Sequence, residues 1–183
     1  TCLLLANMAS WCIHIGKIDR GWRMLKRAKR ILDGAKGKAG FRVSKMVFTA
    51  NTAIILNIRH QFELALPYAQ MAWKLSDADT QSHLRPFVAI ILLEALVGLD
   101  KMTEAKALWV HFDCNNLDSL DGHGQIRVLL QRGLAASLLG DKHEGNQVAR
   151  RVYDLIVQED LEDLEVHYEY NKLIRLLFNL DDE

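Results

Sequence analysis

The amino-acid sequence predicts an all-α protein, an α-solenoid built from four antiparallel helical hairpins and a final helix. Only two of the 183 residues are proline and eleven are glycine, while half are hydrophobic, which favours helices over the turn-rich strands of a sandwich or barrel. Small residues recur at Gly21, Ala65, Ala105 and Gly145, at intervals of 44, 40 and 40 residues. A fixed period with one supersecondary unit per repeat is the signature of a solenoid.

The hairpins follow one another along the whole chain, so we expect residues 1–183 to form a single domain. A first helix is predicted over residues 2–15, and Gly16 turns the chain into a second helix that ends near Leu32. Pro67 lies inside the fourth helix and should bend it, whereas Pro86 suits the first turn of the fifth. The predicted repeats cover residues 2–33, 42–76, 84–114 and 125–157, and the final helix covers residues 161–180.

The last of these hairpins, residues 133–152, carries small residues where two antiparallel helices would have to touch: Gly133, Ala136, Gly145 and Ala149. Their order resembles the motif of the tetratricopeptide-repeat family, in a variant whose period of about 40 residues exceeds the usual 34. Armadillo and HEAT repeats match the period better, but small residues at both crossing points favour the tetratricopeptide family. The resemblance covers most of the chain and implies a domain that holds other proteins.

In the family that the chain resembles, the first helix of each repeat lines a concave groove. Carried over by register, the resemblance implies that the groove here is lined by Ser10, His14, Asn51, Ile54, Asn57, Phe87, Glu94, Arg127 and Leu134. Such a groove, apolar with few polar anchors, suits an amphipathic helix or an extended apolar segment. Ala6, Phe87 and Ile91 stand where members that clamp a peptide's carboxylates carry basic groups, so that clamp is not expected. Packing between repeats is the alternative role of each residue.

A basic ridge is predicted on the second helix. Its cations recur at intervals of three and four residues, opposite an apolar stripe, and they are Lys17, Arg20, Arg23, Arg27 and Arg30. Five cations on one face would attract an acidic partner, an acidic lipid surface or nucleic acid, and the alternative is a solvated face. Nucleic acid is the less favoured partner, because no aromatic residue interleaves the ridge and the whole chain has no net charge.

Charge is unevenly distributed along this neutral chain. From Lys17 to Lys45, eleven lysines and arginines accompany only two acidic residues, whereas from Asp154 to Glu183 ten acidic residues accompany two basic ones. The acidic residues that precede the last predicted helix suit the positive end of its dipole and need no catalytic role.

We found no convergent set of catalytic groups, and neither an enzyme, a cofactor nor a metal is predicted. The loop from Gly34 to Gly40 carries two lysines but lacks the Gly-Lys-Ser/Thr order of a phosphate-binding loop. His111, Cys114 and His123 are three potential metal ligands, yet no fourth stands at a usual spacing, and a packed thiol beside a surface histidine is favoured.

The final helix has no following helix to cover it. Its apolar residues lie all round, and the predicted interface consists of Leu173, Leu176, Leu177 and Phe178. An exposed apolar patch of this kind marks an interaction surface, so we expect the helix to form a homodimer or to dock another part of a longer protein.

The cellular setting is predicted from what the sequence lacks. The longest apolar run, residues 87–99, is interrupted by Glu94 and is shorter than the roughly 20 residues that cross a bilayer, so no membrane span is expected. Cys2 and Cys12 would lie about 15 Å apart along one helix, too far to bridge, which favours a reducing, cytoplasmic compartment.

Together these observations predict a right-handed stack of hairpins that serves as a non-catalytic scaffold or regulatory module and binds a partner peptide or helix in its groove. The alternative is a ligand- or peptide-responsive sensor domain of a transcription regulator, which would close a pocket within the superhelix. We expect the chain to be a piece of a longer protein, because it begins at Thr1 inside an apolar stretch.

Overall fold

The computed structural model of the chain is all-helical, and its helices pack on one another. It describes residues 1–35, 40–76, 84–112, 117 and 120–179, and within these ranges no residue is in a strand. The helices are α1 (Cys2–His14), α2 (Ile18–Asp33), α3 (Phe41–Ile58), α4 (Phe62–Leu75), α5 (Arg85–Gly98), α6 (Met102–Ala107), α7 (Gly122–Leu138), α8 (Lys142–Gln158) and α9 (Leu164–Phe178), with a short 3-10 helix at Trp109–Phe112.

The chain divides into two compact units, Thr1–Lys101 and Met102–Glu183. In the first unit α1 packs on α2 and α3, and α3 packs on α4 and α5. In the second unit α7 packs on α8, on α9 and on the 3-10 helix. The predicted third hairpin therefore has its first helix in one unit and its second helix in the other. The prediction of a single domain over residues 1–183 stays a prediction.

Three pairs of consecutive helices, α1–α2, α3–α4 and α7–α8, are joined by three residues each and pack against one another. The small residues of the repeat lie at their crossings. A Cβ atom on Gly21 would lie 3.2 Å from the carbonyl oxygen of Ala9, and one on Gly145 would lie 2.5 Å from Ser137 Oγ. Ala65 is fully buried beside Leu56 and Ala95. These helices come close because no larger side chain separates them.

The turns that end α1, α3, α5 and α7 share one backbone conformation. Their left-handed residues are Gly16, His60, Asp100 and Gly140, with φ of 72, 54, 57 and 89°, and they stand 44, 40 and 40 residues apart. In each turn the next backbone N–H bonds to the carbonyl five residues earlier, over 2.8 to 2.9 Å. This is the closure of a Schellman motif, which satisfies carbonyls that a helix end would leave free.

The second helix of the predicted third repeat is interrupted. A continuous helix was expected to carry Ala105, Trp109 and Phe112, but α6 ends at Ala107 and a 3-10 helix follows. In this segment the backbone hydrogen bonds join residues three apart in place of four. The Leu108 amide donates to the Ala105 carbonyl, and the His111 amide donates to the Leu108 carbonyl. Residues 113–116, which include Cys114, one of the three potential metal ligands, lie outside the described residues.

The left-handed turn at Asp100 predicts a stabilising substitution. Asp100→Gly removes the steric conflict that a Cβ atom meets at positive φ and should raise the free energy of unfolding by about 0.5–1 kcal/mol. The reverse change in the same unit, Gly16→Asp, should lower it by a similar amount, since Gly16 has no neighbour that an added side chain would clash with. Urea midpoints of the two variants should therefore move in opposite directions, and movement in the same direction would contradict the turn geometry.

The helix crossing at Ala65 predicts a destabilising substitution. Ala65→Leu places a bulky group between packed helices and should lower the free energy of unfolding by about 1–3 kcal/mol. Gln70→Leu adds the same side chain at an exposed position of α4 and should change stability by no more than about 0.5 kcal/mol. Equal urea midpoints for the two variants would show that Ala65 is not at a close crossing.

Candidate protein-binding surfaces

The residues predicted to line a groove differ in accessibility. In the first unit Ser10, His14, Ile54, Phe87 and Glu94 are half-buried, and in the second unit Arg127 is half-buried too. Each of these side chains keeps some surface that a partner could contact.

Three residues predicted for the groove are buried instead: Asn51, Asn57 and Leu134. The side-chain amide of Asn51 donates to the Ala6 carbonyl oxygen over 2.8 Å, and that of Asn57 donates to the Ile91 carbonyl oxygen over 3.0 Å. These bonds tie α3 to α1 and to α5, because each amide reaches a backbone acceptor on a neighbouring helix. Asn51 and Asn57 thus hold neighbouring helices together through backbone acceptors.

Arg127 joins α7 to the start of α9. Its guanidinium lies 3.6 Å from Asp163 Oδ2, and its Nε donates to His123 Nε2 over 3.1 Å. Asp163 also accepts a hydrogen bond from the Val166 backbone N–H through its other oxygen, over 3.1 Å, as an N-cap residue does. The predicted acidic start of the last helix is therefore a structural cap, and Arg127 is engaged with it.

The predicted interface on the final helix is only partly exposed. Leu173 is 0 % exposed and Leu177 is buried as well, whereas Phe178 is 64 % exposed and Leu176 is half-buried. The two buried leucines fit beside glycines of the preceding hairpin. A Cβ atom on Gly133 would lie 2.9 Å from Leu173 Cδ2, and one on Gly145 would lie 2.8 Å from Leu177 Cδ2. The small residues thus open a slot that α9 fills, which removes Leu173 and Leu177 from any interface.

All five cations of the basic ridge, Lys17, Arg20, Arg23, Arg27 and Arg30, are exposed on α2. Within the described residues none of them has an acidic partner, because the two carboxylates of α2 are engaged elsewhere. Asp19 accepts from Arg59 over 2.6 Å, and Asp33 pairs with Lys29 over 3.0 Å. The positive charge of the ridge is therefore not neutralised locally.

One end of the ridge borders a concavity of about 510 Å³ between the start of α2 and the end of α3. It is lined by Gly16, Lys17, Ile18, Asp19, Arg20, Arg23, Ile58 and Arg59. Arg59 is held in position by Asp19 and by the Trp22 ring, whose centroid lies 5.4 Å from its Cζ atom. The N-cap residue of α2 is Lys17, whose side chain accepts no backbone hydrogen bond. Four of these lining residues are cations, and the one carboxylate among them, that of Asp19 in the first turn of α2, is paired with Arg59.

A second exposed feature of the first unit is an apolar stripe on α1. Leu4, Met8 and Trp11 stand one helical turn apart, and Leu4 and Trp11 are 58 % and 60 % exposed. The opposite face of α1 carries the buried Ala6 and Ala9. We did not predict this α1 stripe, because α1 is apolar on every side and its sequence does not distinguish the covered face from the exposed one.

The second unit exposes apolar side chains and carboxylates together. Tyr153, Val157 and Phe178 are each more than half exposed. Nearby in the sequence, the exposed acidic residues of α8 and of the segment before α9 are Asp154, Glu159, Asp160 and Glu162. Burial raises the pKa of Tyr170, and the neighbouring Tyr153 and Asp154 raise it further. That phenol therefore adds no negative charge to this acidic surface near neutral pH.

The described residues present no grouping of three histidine, cysteine, aspartate or glutamate side chains that could hold a metal ion. Burial raises the pKa of the Cys2 thiol, which keeps it protonated and weakly reactive. Among the described helices, none combines the length and the apolar character that a bilayer crossing requires. Residues 36–39 of the predicted glycine loop lie outside the described residues.

The cap at Asp163 predicts a graded loss of stability. Asp163→Ala removes both the cap and the ion pair with Arg127 and should lower the free energy of unfolding by about 1–2 kcal/mol. Asp163→Asn keeps a capping oxygen and should lose only part of that amount. Glu162→Ala, at the exposed neighbouring position, is the control and should leave the urea midpoint unchanged. If Asp163→Asn cost as much as Asp163→Ala, the cap would not be the main contribution.

Comparison with known proteins was made at three levels. No family model, curated protein or solved structure matches this chain. Function is therefore inferred from the charges and the exposed surfaces of the two units.

Proposed function

We propose that this chain is a non-catalytic, tetratricopeptide-like interaction module that binds an acidic segment of a protein partner on the basic ridge and in the adjoining concavity. The repeat architecture that we propose is a right-handed stack of four hairpins. It is supported by the four left-handed turns, which recur with the same 44-, 40- and 40-residue intervals as the small residues of the helix crossings.

The observation that carries the proposal is the set of five exposed cations on α2 without acidic partners in the described part of the chain. Like charges on one helix face repel one another, and repulsion at spacings of three and four residues destabilises a helix. An acidic partner would relieve this repulsion. The positive end of the α2 dipole, which borders the concavity, adds to the attraction.

The dimensions of the ridge fit a short stretch of polypeptide. From Lys17 to Arg30 the ridge is about 20 Å long at the helical rise of 1.5 Å per residue. An extended peptide of about six residues has the same length.

A protein partner is favoured over nucleic acid by the surroundings of the ridge. Trp22 is the single aromatic residue of α2, and Arg59 and Lys26 lie over its ring at 5.4 and 5.8 Å from the centroid. Single-stranded nucleic acid is normally held by aromatic side chains that stack on its bases. The ridge offers charge without such a stacking surface.

The proposal predicts salt-sensitive binding to an acidic peptide. A fluorescent peptide of about six glutamates should bind the parent chain, and Arg20→Glu plus Arg23→Glu should weaken binding about tenfold, which corresponds to about 1.4 kcal/mol. Added salt should reduce the difference, because it screens exposed charges. Fluorescence anisotropy titrations at low and high ionic strength measure both effects.

The matched control is Arg42→Glu plus Lys74→Glu, which makes the same change in net charge at exposed positions of α3 and α4. It should bind the peptide nearly as well as the parent. Equal losses in the two double variants would show a general charge effect and would overturn the assignment to the ridge. Tighter binding of a single-stranded oligonucleotide than of the peptide would instead favour nucleic acid.

A further inference from the structure

We propose that the acidic partner is a second copy of this chain, whose second unit docks on the basic ridge of the first unit. This inference rests on the proposed function of the ridge and adds the identity of the partner. The contact would join two different surfaces, one from each copy.

The two units carry opposite net charges. Thr1–Lys101 contains fifteen lysines and arginines and seven acidic residues, a net charge of +8. Met102–Glu183 contains eight lysines and arginines and sixteen acidic residues, a net charge of −8. A chain with no net charge is therefore composed of two strongly and oppositely charged units. Such complementarity attracts two copies and selects the orientation in which unlike units meet.

Exposed surfaces of the two units carry groups of opposite charge. On the first unit the cations of the basic ridge lie along one face of α2. On the second unit, four exposed carboxylates occur within nine residues, at Asp154, Glu159, Asp160 and Glu162. The two groups have opposite sign.

Each unit also exposes apolar side chains. The α1 stripe contributes Leu4, Met8 and Trp11, and α8 and α9 contribute Tyr153, Val157 and Phe178. Exposed ion pairs alone contribute little free energy, roughly 0–1 kcal/mol each, so charge sets the orientation of a contact more than its strength. Apolar side chains that a docked copy covers would supply the larger part of the affinity.

A contact between unlike surfaces closes only when a ring forms, and the smallest ring is a reciprocal dimer in which each second unit docks on the other copy's first unit. Each added copy leaves one basic and one acidic surface free, so the assembly continues until a ring closes or a filament forms. The average mass should therefore rise with concentration above the 20.9 kDa of a single chain. A symmetric dimer through α9 alone would form without the basic ridge.

Sedimentation equilibrium across a concentration series tests the proposal. At an ionic strength of about 0.01 M, where the screening length is about 30 Å, the parent should associate, and at about 1 M the apparent dissociation constant should rise at least tenfold. Two variants should each be monomeric under the low-salt conditions: Arg20→Glu plus Arg23→Glu, and Asp154→Lys plus Glu162→Lys. Arg42→Glu plus Lys74→Glu should associate like the parent.

In the decisive experiment the two monomeric variants are mixed. One variant keeps the acidic group intact and the other keeps the basic ridge intact, so the mixture should associate although neither variant does alone. Circular dichroism verifies that each variant is folded, and the salt dependence of the parent is a readout that needs no variant. The proposal is overturned if the parent is monomeric at about 100 μM and low salt, a concentration that would reveal even weak association. Association that survives in both variants, or a mixture that stays monomeric, overturns it as well.

These outcomes are separate from the test of the proposed function. Binding of the glutamate peptide by a parent chain that stays monomeric would retain the ridge as an acidic-segment site and remove the second copy as its occupant. If the peptide does not bind but the mixed variants associate, the second copy is retained as the partner and the general acidic-segment site is removed.

Discussion

Close approach between the two helices of a hairpin is the constraint on which the rest of the structure depends. At the α7–α8 crossing the limiting residues are Gly133 and Gly145, where an added Cβ atom would meet Val148 and Ser137. The same two glycines leave the space that Leu173 and Leu177 fill, so the small residues bring two helices together and also seat a third. Because interiors are packed as densely as organic crystals, a single larger side chain at this point would displace both neighbours.

Polar bonds between neighbouring hairpins complement this packing in the first unit. Asn51 and Asn57 are buried on α3, ten of whose 18 residues are buried, and each donates to a carbonyl oxygen of an adjacent helix. A buried amide without a partner would be costly, so these bonds favour one arrangement of α1, α3 and α5 over others. The sequence could not distinguish this role from partner binding, because an asparagine on a helix face can bond to a ligand or to a neighbouring backbone with equal chemistry.

Periodicity predicted the helices and the basic ridge well, because both depend on spacing along a single helix. It failed where a contact from elsewhere in the chain decides the outcome. No proline or glycine marks the end of α6 at Ala107, and the 3-10 helix that follows is contacted from α7 by Arg132, which donates to the Phe112 carbonyl oxygen and lies over the Trp109 ring. The same limit applies to α9, where Leu173 and Phe178 are equally apolar in sequence and only the packing separates a buried residue from an exposed one.

The charge distribution is the feature for which the fold provides no internal reason. Helix packing needs the buried faces of α2 and α8, and it places no demand on the sign of the exposed residues. A unit with a net charge of +8 is destabilised by its own repulsion, and mixed signs on each unit would serve solubility as well. The chain instead separates the signs and leaves apolar side chains exposed on both units. The proposed second copy would give this separation a role, because the opposite sign of the two units makes the two copies complementary.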